Sequence, residues 1–312
     1  MILTVTLNAA IDNIWTIDDF NIGSVFRANK GVPQRVPGGK GINVARVINA
    51  LRENVLATGF IGGYTGELIN KLIKEEKIDQ EFIFIKGESR ENLIIVDPIK
   101  KTETVINGIG PDISPLEIEK FREIILKKIL KSEVICLCGS LPPGVPKDFY
   151  AYMIMEANKL SIPVILDTSK ESLSESIISK PFMIKLNTKE IMEVLPHQII
   201  ESDNDIITAA KYFLKKGTES VIITKGAEGA ILCTQNEFWK IIPPEVNVLN
   251  SVGSGDAFVG GCAVAISKGR SILDAAILGT ASGAANAETL IAGDVTYDRI
   301  HELINKVVWR RL

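Results

Sequence analysis

Short apolar runs alternate with amphipathic stretches along almost the whole chain, and this alternation restricts the fold more than any other feature. The first run, Met1-Ile2-Leu3-Thr4-Val5-Thr6-Leu7, is β-branched and apolar, as a strand buried on both faces should be. Further strands are expected at 55–62, 134–138, 163–166, 183–186 and 221–224. Helical patterns fill the intervals at 66–76, 115–131, 147–160 and 205–216, and an Ala-rich stretch at 272–290 continues them. Strands that alternate with helices predict an α/β fold whose mainly parallel sheet is covered on both faces. No repeat or low-complexity linker divides the 312 residues, so residues 1–312 read as one domain. Two regions, about 13–36 and 82–107, break the rhythm with short alternating runs such as Glu81-Phe82-Ile83-Phe84-Ile85, Asn92-Leu93-Ile94-Ile95-Val96 and Thr102-Glu103-Thr104-Val105-Ile106. These are expected to form a small β layer outside the main sheet, with a hairpin turn at 97–101.

Two glycine turns stand at helix starts. In Asn250-Ser251-Val252-Gly253-Ser254-Gly255-Asp256-Ala257-Phe258 the glycines allow a tight turn and close approach to a ligand. The free N–H groups of the helix start make an anion site, and Asp256 sits on that first turn, where the dipole favours its ionised form. Anion-binding amides beside a carboxylate suit phosphoryl transfer to a hydroxyl. An Asp cap after a flexible turn fits the same letters. The second turn, Pro37-Gly38-Gly39-Lys40-Gly41-Ile42-Asn43-Val44-Ala45, opens a helix with Val44, Val47, Ile48 and Leu51 on one face. It is not a P-loop, since Gln34 and Gly41 stand where that motif needs Gly and Ser or Thr. Its spacing also fails the dinucleotide fingerprint.

Together the two turns resemble the signatures of the ribokinase-like carbohydrate kinases of the phosphofructokinase B family, and the resemblance runs from Thr4-Val5-Thr6-Leu7-Asn8 to the Ala-rich helix near 285. It implies a three-layer α/β/α sandwich with a small β-sheet lid over a sugar site, and a homodimer formed through that lid. It implies ATP and Mg2+ as cofactors. Asp256 would be the base, with Gly253, Ser254 and Gly255 as the anion hole. Lys185-Leu186-Asn187-Thr188-Lys189-Glu190 follows a strand, where α/β proteins bind ligands. There the family places an Asn-x-x-Glu motif, matched by Asn187 and Glu190, which would organise magnesium through water. A helix cap with Glu at its third position fits these letters too. Thr224, Gly226 and Gly229 resemble the nucleotide loop, and Asn286 would line the adenine pocket or merely be a polar residue of its helix.

On the acceptor side, Asp12, Gly38, Gly39 and Asn43 match sugar-holding positions, and Ser140 in Gly139-Ser140-Leu141-Pro142 fits the phosphohexose branch. Lys40 and Arg90 are the distinctive pair, because a sugar phosphate needs cations and a neutral sugar does not. Arg90 and Asn92 lie in a segment that approaches the substrate in that branch, and Arg27 is a weaker candidate or a solvated lid charge. The expected reaction is phosphorylation of fructose 1-phosphate at C6, with tagatose 6-phosphate at C1 as the alternative. Thr104-Val105-Ile106-Asn107-Gly108-Ile109-Gly110-Pro111 and the lead-in Asn250-Ser251-Val252 favour the first. A remoter alternative is a non-catalytic sugar-phosphate sensor on the same fold. The chain departs from the family at Ala9, where Pro is usual, which should loosen Asp12 slightly.

A net charge of −3 gives no electrostatic footprint for nucleic acid. Cys136 and Cys138 would share one strand face, and with only two histidines a zinc site is not expected; buried thiols in a reducing compartment are. No signal-peptide pattern or membrane-length apolar run is read, so the expected location is the cytoplasm, and no membrane partner is expected.

Overall fold

The computed structural model describes residues 1–28 and 31–312. Asn29 and Lys30, in the first of the two irregular segments, lie outside the described residues. The strands are β1 (Ile2–Thr6), β2 (Ala10–Thr16), β3 (Gln34–Gly38), β4 (Val55–Gly62), β5 (Asp79–Ile85), β6 (Arg90–Asp97), β7 (Thr102–Asn107), β8 (Val134–Cys138), β9 (Val164–Asp167), β10 (Met183–Asn187), β11 (Ser220–Thr224), β12 (Ala230–Thr234), β13 (Phe238–Ile242) and β14 (Val308–Arg311). The helices are α1 (Lys40–Ala50), α2 (Gly63–Glu75), α3 (Pro115–Ile129), α4 (Phe149–Asn158), α5 (Lys170–Ser176), α6 (Thr188–Val194), α7 (Asp203–Lys215), α8 (Ser254–Ser267), α9 (Ile272–Ala287) and α10 (Tyr297–Ile304).

The large sheet has the order β14-β13-β12-β11-β10-β9-β8-β1-β4-β5. From β5 to β11 every neighbouring pair is parallel, so all these strands end at one edge of the sheet. Three antiparallel strands then finish the far side. Side chains of each strand alternate between two helix layers. Cys136 and Cys138 pack with α1, α2, α8, α9 and α10, while Ile135 and Leu137 pack with α3 to α7. All four cysteines are buried and unpaired. The face expected for α1 is the one it buries: Val44, Val47 and Ile48 are inaccessible and Leu51 nearly so. Each such side chain contributes about 1.5–3 kcal/mol of burial.

The small sheet has the order β3-β2-β6-β7, with β2 and β6 parallel and the outer pairs antiparallel. Its register sets Asp12 beside Asn92 on one side and Val36 on the other. β3 runs directly into the Gly39 turn and α1, so the small sheet is tied to the large one at the second glycine turn.

One expectation is corrected. The run Glu81–Ile85, expected in the small layer, belongs to β5 and pairs with β4 at the edge of the large sheet. An edge strand has one open side and one well-packed face, so it shows the same alternation as a strand of a small two-sided layer. The antiparallel strands β12 to β14 were not anticipated: β13 and β14 are only partly buried or exposed, while β12, Ala230–Thr234, carries an apolar run like those of the parallel strands and was overlooked.

Candidate active site

The strand ends, the first turns of α1 and α8, and the small sheet enclose a cleft of ≈ 360 Å³. Thr6, Asp12, Lys40, Asn43, Arg90, Gly253 and Asp256 are among its lining residues.

The α8 turn is built as its glycines require. Gly253 has φ +83°, and a Cβ there would lie 2.4 Å from the Cβ of Ala292. A Cβ on Gly255 would lie 2.7 Å from Lys185 Nζ, so glycine lets that ammonium approach the helix start. The Ser254 N–H donates back to Ser251 O at 3.2 Å, while the Gly255 and Asp256 N–H groups lie in the first turn, which has no intrahelical acceptor for them. Asn286 holds this turn from behind. Its Nδ2 donates to Val252 O (2.9 Å) and Ser254 Oγ (3.2 Å), and its Oδ1 accepts from Gly293 N (2.6 Å). It is fully buried, with two of its bonds on the turn and the third to Gly293 N.

Asp256 is 7% exposed. Its Oδ2 accepts from Asn43 Nδ2 at 2.8 Å. Burial pushes its carboxyl up to about 6; Lys40, the Asn43 bond and Lys185 oppose that rise, and Asp167 adds to it. From the sequence alone, the helix dipole was expected to favour its ionised form. Helix α8 leaves Ser254 and Gly255 half-buried but buries Asp256 itself, and that desolvation is the largest influence on its carboxyl.

Two lysines and two further acids complete this charge cluster. Lys40 Nζ lies 2.7 Å from Asp167 Oδ1 and 3.3 Å from Glu190 Oε1, and Lys185 Nζ lies 3.2 Å from Asp167 Oδ2. Burial alone would raise the Asp167 carboxyl, but Lys185 and Lys40 outweigh it and hold the value below the ordinary one. Burial likewise works to lower Lys40, and Asp167, Glu190 and Asp256 more than reverse it. Asp167 was missed from the sequence, although it ends a buried strand on the same edge as Asn187 and so was open to the strand-end argument.

The wall formed by the small sheet is polar and less cationic. Asn92 Nδ2 donates to Asp12 Oδ1 at 2.6 Å, and its Oδ1 accepts from Gly108 N. Burial raises the Asp12 carboxyl, opposed by the Asn92 bond and by Arg90 and Arg46. Arg90 donates to Asn8 O and Gly108 O, both at 3.0 Å. A Cβ on Gly38 would fall 2.2 Å from Asp12 Oδ2, and one on Gly39, at φ +107°, would strike Thr6 Cγ2. Asn8 Nδ2 reaches Ser140 Oγ at 3.3 Å, while Asn8 Oδ1 and the Thr6 hydroxyl are buried without partners. Thr6, Asn8, Thr168 and Ser169 line the cleft without having been candidates from the sequence, and Asn107, from the segment used to choose the substrate, lines it as well. Arg27 is exposed and does not line the cleft. Despite Ala9 in place of proline, Asp12 is fixed by its strand and by Asn92. Lys40 and Arg90 line one cleft but not as a pair: Lys40 belongs to the acids of β9 and α6, Arg90 to backbone carbonyls beside the small sheet.

Asn187 and Glu190 form a reciprocal cap on α6. Asn187 Oδ1 accepts from the Lys189 and Glu190 N–H groups, and Glu190 Oε2 accepts from Asn187 N. The cap and the functional reading coexist, because Glu190 Oε1 still faces Lys40 at the cleft. Thr224 is the register partner of Asn187 on the next strand, which places it on the same sheet edge. Gly226 is exposed at φ +58° with open space around it. Gly229 is buried in the turn between β11 and β12, where a Cβ would lie 2.0 Å from Ile241 O.

Among the described residues no cluster of three or more His, Cys, Asp or Glu is arranged to hold a metal ion. The free first-turn amides, the Lys185 ammonium and the space kept by Gly255 fit phosphate oxygens. A magnesium ion carried by those phosphates would fit here, where Asn187 and Glu190 would hold it through water.

The comparisons with known proteins agree with this geometry. A model of the pfkB family carbohydrate kinases matches residues 23–295. The chain is 34% identical over 309 residues to a tagatose-6-phosphate kinase of Staphylococcus epidermidis, with 98% of each chain covered. It is also 34% identical over 314 residues to a 1-phosphofructokinase of Bacillus subtilis, with 100% of each covered. The crystal structure of a possible 1-phosphofructokinase from Thermotoga maritima superposes with a TM-score of 0.92 at 27% identity, covering 100% of this chain and 99% of that one. The ribokinase-like architecture expected from the glycine turns is thus shown. With the match running through both turns, this protein belongs to the pfkB family of carbohydrate kinases, phosphotransferases whose acceptor is an alcohol.

Proposed function

We propose that the protein phosphorylates fructose 1-phosphate at its C6 hydroxyl, with ATP as donor, to give fructose 1,6-bisphosphate. The observation that carries this reading is a buried carboxylate on an anion-binding helix start, facing the same cleft as an arginine. Bound ATP would supply its γ-phosphoryl group and leave as ADP, with magnesium neutralising the phosphate charge. Asp256 accepts the acceptor's proton; with its value near 6 it is mostly ionised at neutral pH. The Gly255 and Asp256 amides, with Lys40 and Lys185, stabilise negative charge on the transferred group. Asp12 and Asn43 orient the sugar, and Arg90 holds its existing phosphate. Asn107 and Gly108 support the fructose 1-phosphate reading, since Asn107 lines the cleft and Gly108 O accepts from Arg90.

The small sheet acts as a lid that excludes water as a competing acceptor. Its outer strand β7 exposes Val105 and Ile106, which suits cover by a second copy in a homodimer. The four buried thiols suit the cytoplasm. Among the described residues no helix is long and apolar enough to cross a membrane.

Phosphorylation of tagatose 6-phosphate at C1 is the second reading, supported by the relative that carries that name. Turnover of the two sugar phosphates, compared as kcat/KM, decides between them. Preference for fructose 1-phosphate is expected, preference for tagatose 6-phosphate selects the second reading, and turnover of neither removes the acceptor assignment.

A further inference from the structure

Arg46 lies one helical turn after Asn43 on α1 and is only 8% exposed. It does not line the active-site cleft. Its guanidinium makes five hydrogen bonds to four groups. Nε and Nη2 pair with the two oxygens of Glu76 at 2.8 and 3.0 Å, and Nη2 also donates to Pro37 O at 2.8 Å. Nη1 donates to Ala292 O and, at 3.2 Å, to Asn43 Oδ1. Arginine offers donors only, so the Asn43 amide must turn its oxygen to Arg46 and its NH2 to the Asp256 carboxylate. A flipped amide would set donors against donors at one end and acceptors against acceptors at the other.

The same guanidinium reaches both glycine turns. Pro37 leads into Gly38 and Gly39, and Ala292 is the residue packed against Gly253. A second cleft of ≈ 470 Å³ is lined by Arg46 together with Asn49, Glu75 and Glu76.

We propose that Arg46 is a positioning residue for phosphoryl transfer: it fixes the orientation of the Asn43 amide toward Asp256 and holds the two glycine turns at a set separation. This rests on Asp256 acting as the base.

The test is a double-mutant cycle of Arg46→Ala and Asn43→Ala, assayed on whichever ketohexose phosphate the wild type turns over. Arg46→Ala is expected to lower kcat by about 10- to 100-fold with little change in the acceptor KM. The double variant should be no slower than the slower single one, because the two residues act as a unit. Millimolar guanidinium, entering through the second cleft, should restore kcat in Arg46→Ala and not in Asn43→Ala. Multiplicative losses, or a wild-type kcat with only a lowered melting temperature, overturn the proposal. If Arg46→Ala does not fold, Arg46→Lys keeps the charge but cannot reach Asn43, Pro37 and Ala292 together; it should lose kcat, and a wild-type kcat in it overturns the proposal equally. If the wild type turns over neither sugar phosphate, the acceptor reading has failed on its own account. The positioning claim is then read from the 15N–1H signals of the Asn43 side-chain amide, identified by their loss in Asn43→Asp. They should change in Arg46→Ala, and unchanged signals overturn it.

Discussion

The two sides of the cleft are built to different standards of rigidity. On the phosphoryl side, Asp256, Asp167 and Lys185 project from α8 and the central strands, and all are nearly inaccessible. Asp167 pairs with Lys40 at 2.7 Å and with Lys185 at 3.2 Å, and Asp256 accepts from Asn43 at 2.8 Å, inside a core that spans both helix layers. On the acceptor side, Asp12, Arg90 and Asn92 stand on a four-stranded sheet whose own core is Ile14, Val36, Ile94 and Val96. The outer strand of that sheet is exposed along nearly its whole length. Preorganised charge needs a scaffold that does not relax, whereas a surface that admits and encloses a sugar needs one that can move. The molecule separates the two requirements into two sheets, joined where β3 enters α1.

Paired glycine substitutions test that division most strongly. Gly253→Ala forces a side chain onto φ +83° and into Ala292, at a cost of about 1–3 kcal/mol for the strain alone. It is expected to lower the melting temperature and to reduce kcat by at least an order of magnitude. Gly38→Ala pushes on the Asp12 carboxylate instead, 2.2 Å away, and should act mainly on the acceptor KM. Kinetics that show the same kcat and KM pattern for both would erase the distinction.

Removing one bond on each side gives smaller and separable effects. Asn92→Ala takes away the 2.6 Å bond to Asp12, and losing a bond to a charged group costs about 1.5–3 kcal/mol. The acceptor KM should rise roughly 10-fold or more, with the ATP KM unchanged. Lys40→Met acts on the other side. Lys40 favours the ionised form of Asp256, so its removal raises that carboxyl further, and the acid limb of the kcat/KM profile should move above its wild-type position near pH 6. An acid limb that stays in place, or moves down, contradicts the charge cluster as described.

The smallest effect concerns stability. The folded value of Asp256 is raised to about 6 from an ordinary value of 3.8, so the folded state binds more protons than the unfolded one between these limits. Its contribution to stability therefore declines as pH rises through that window. Asp256→Asn removes the cost, and in thermal melts at pH 8 the variant should be at least as stable as the wild type. The difference should shrink toward pH 5.

How legible this was in the sequence follows the same division. The buried parallel strands announced themselves, because runs such as Val134-Ile135-Cys136-Leu137-Cys138 have no polar face to confuse their period. The two glycine turns were equally plain, since positive φ at Gly39 and Gly253 leaves few other residues possible. β5 was misplaced because an edge strand and a lid strand share one pattern. The bonds of Asn286 to the α8 turn were not legible, because helix position says nothing about which tertiary groups a buried amide will meet. The value of Asp256 was hidden for a related reason: desolvation depends on the packing of α8 against the sheet and α9, and no local letter records that.

The central claim is that Asp256 is the base of a preorganised site, and Asp256→Asn tests it most directly. At pH 8, with melting temperature recorded alongside, the account expects kcat to fall by about 10²- to 10⁴-fold while the fold stays as stable as the wild type. Turnover at the wild-type rate by that variant would contradict it.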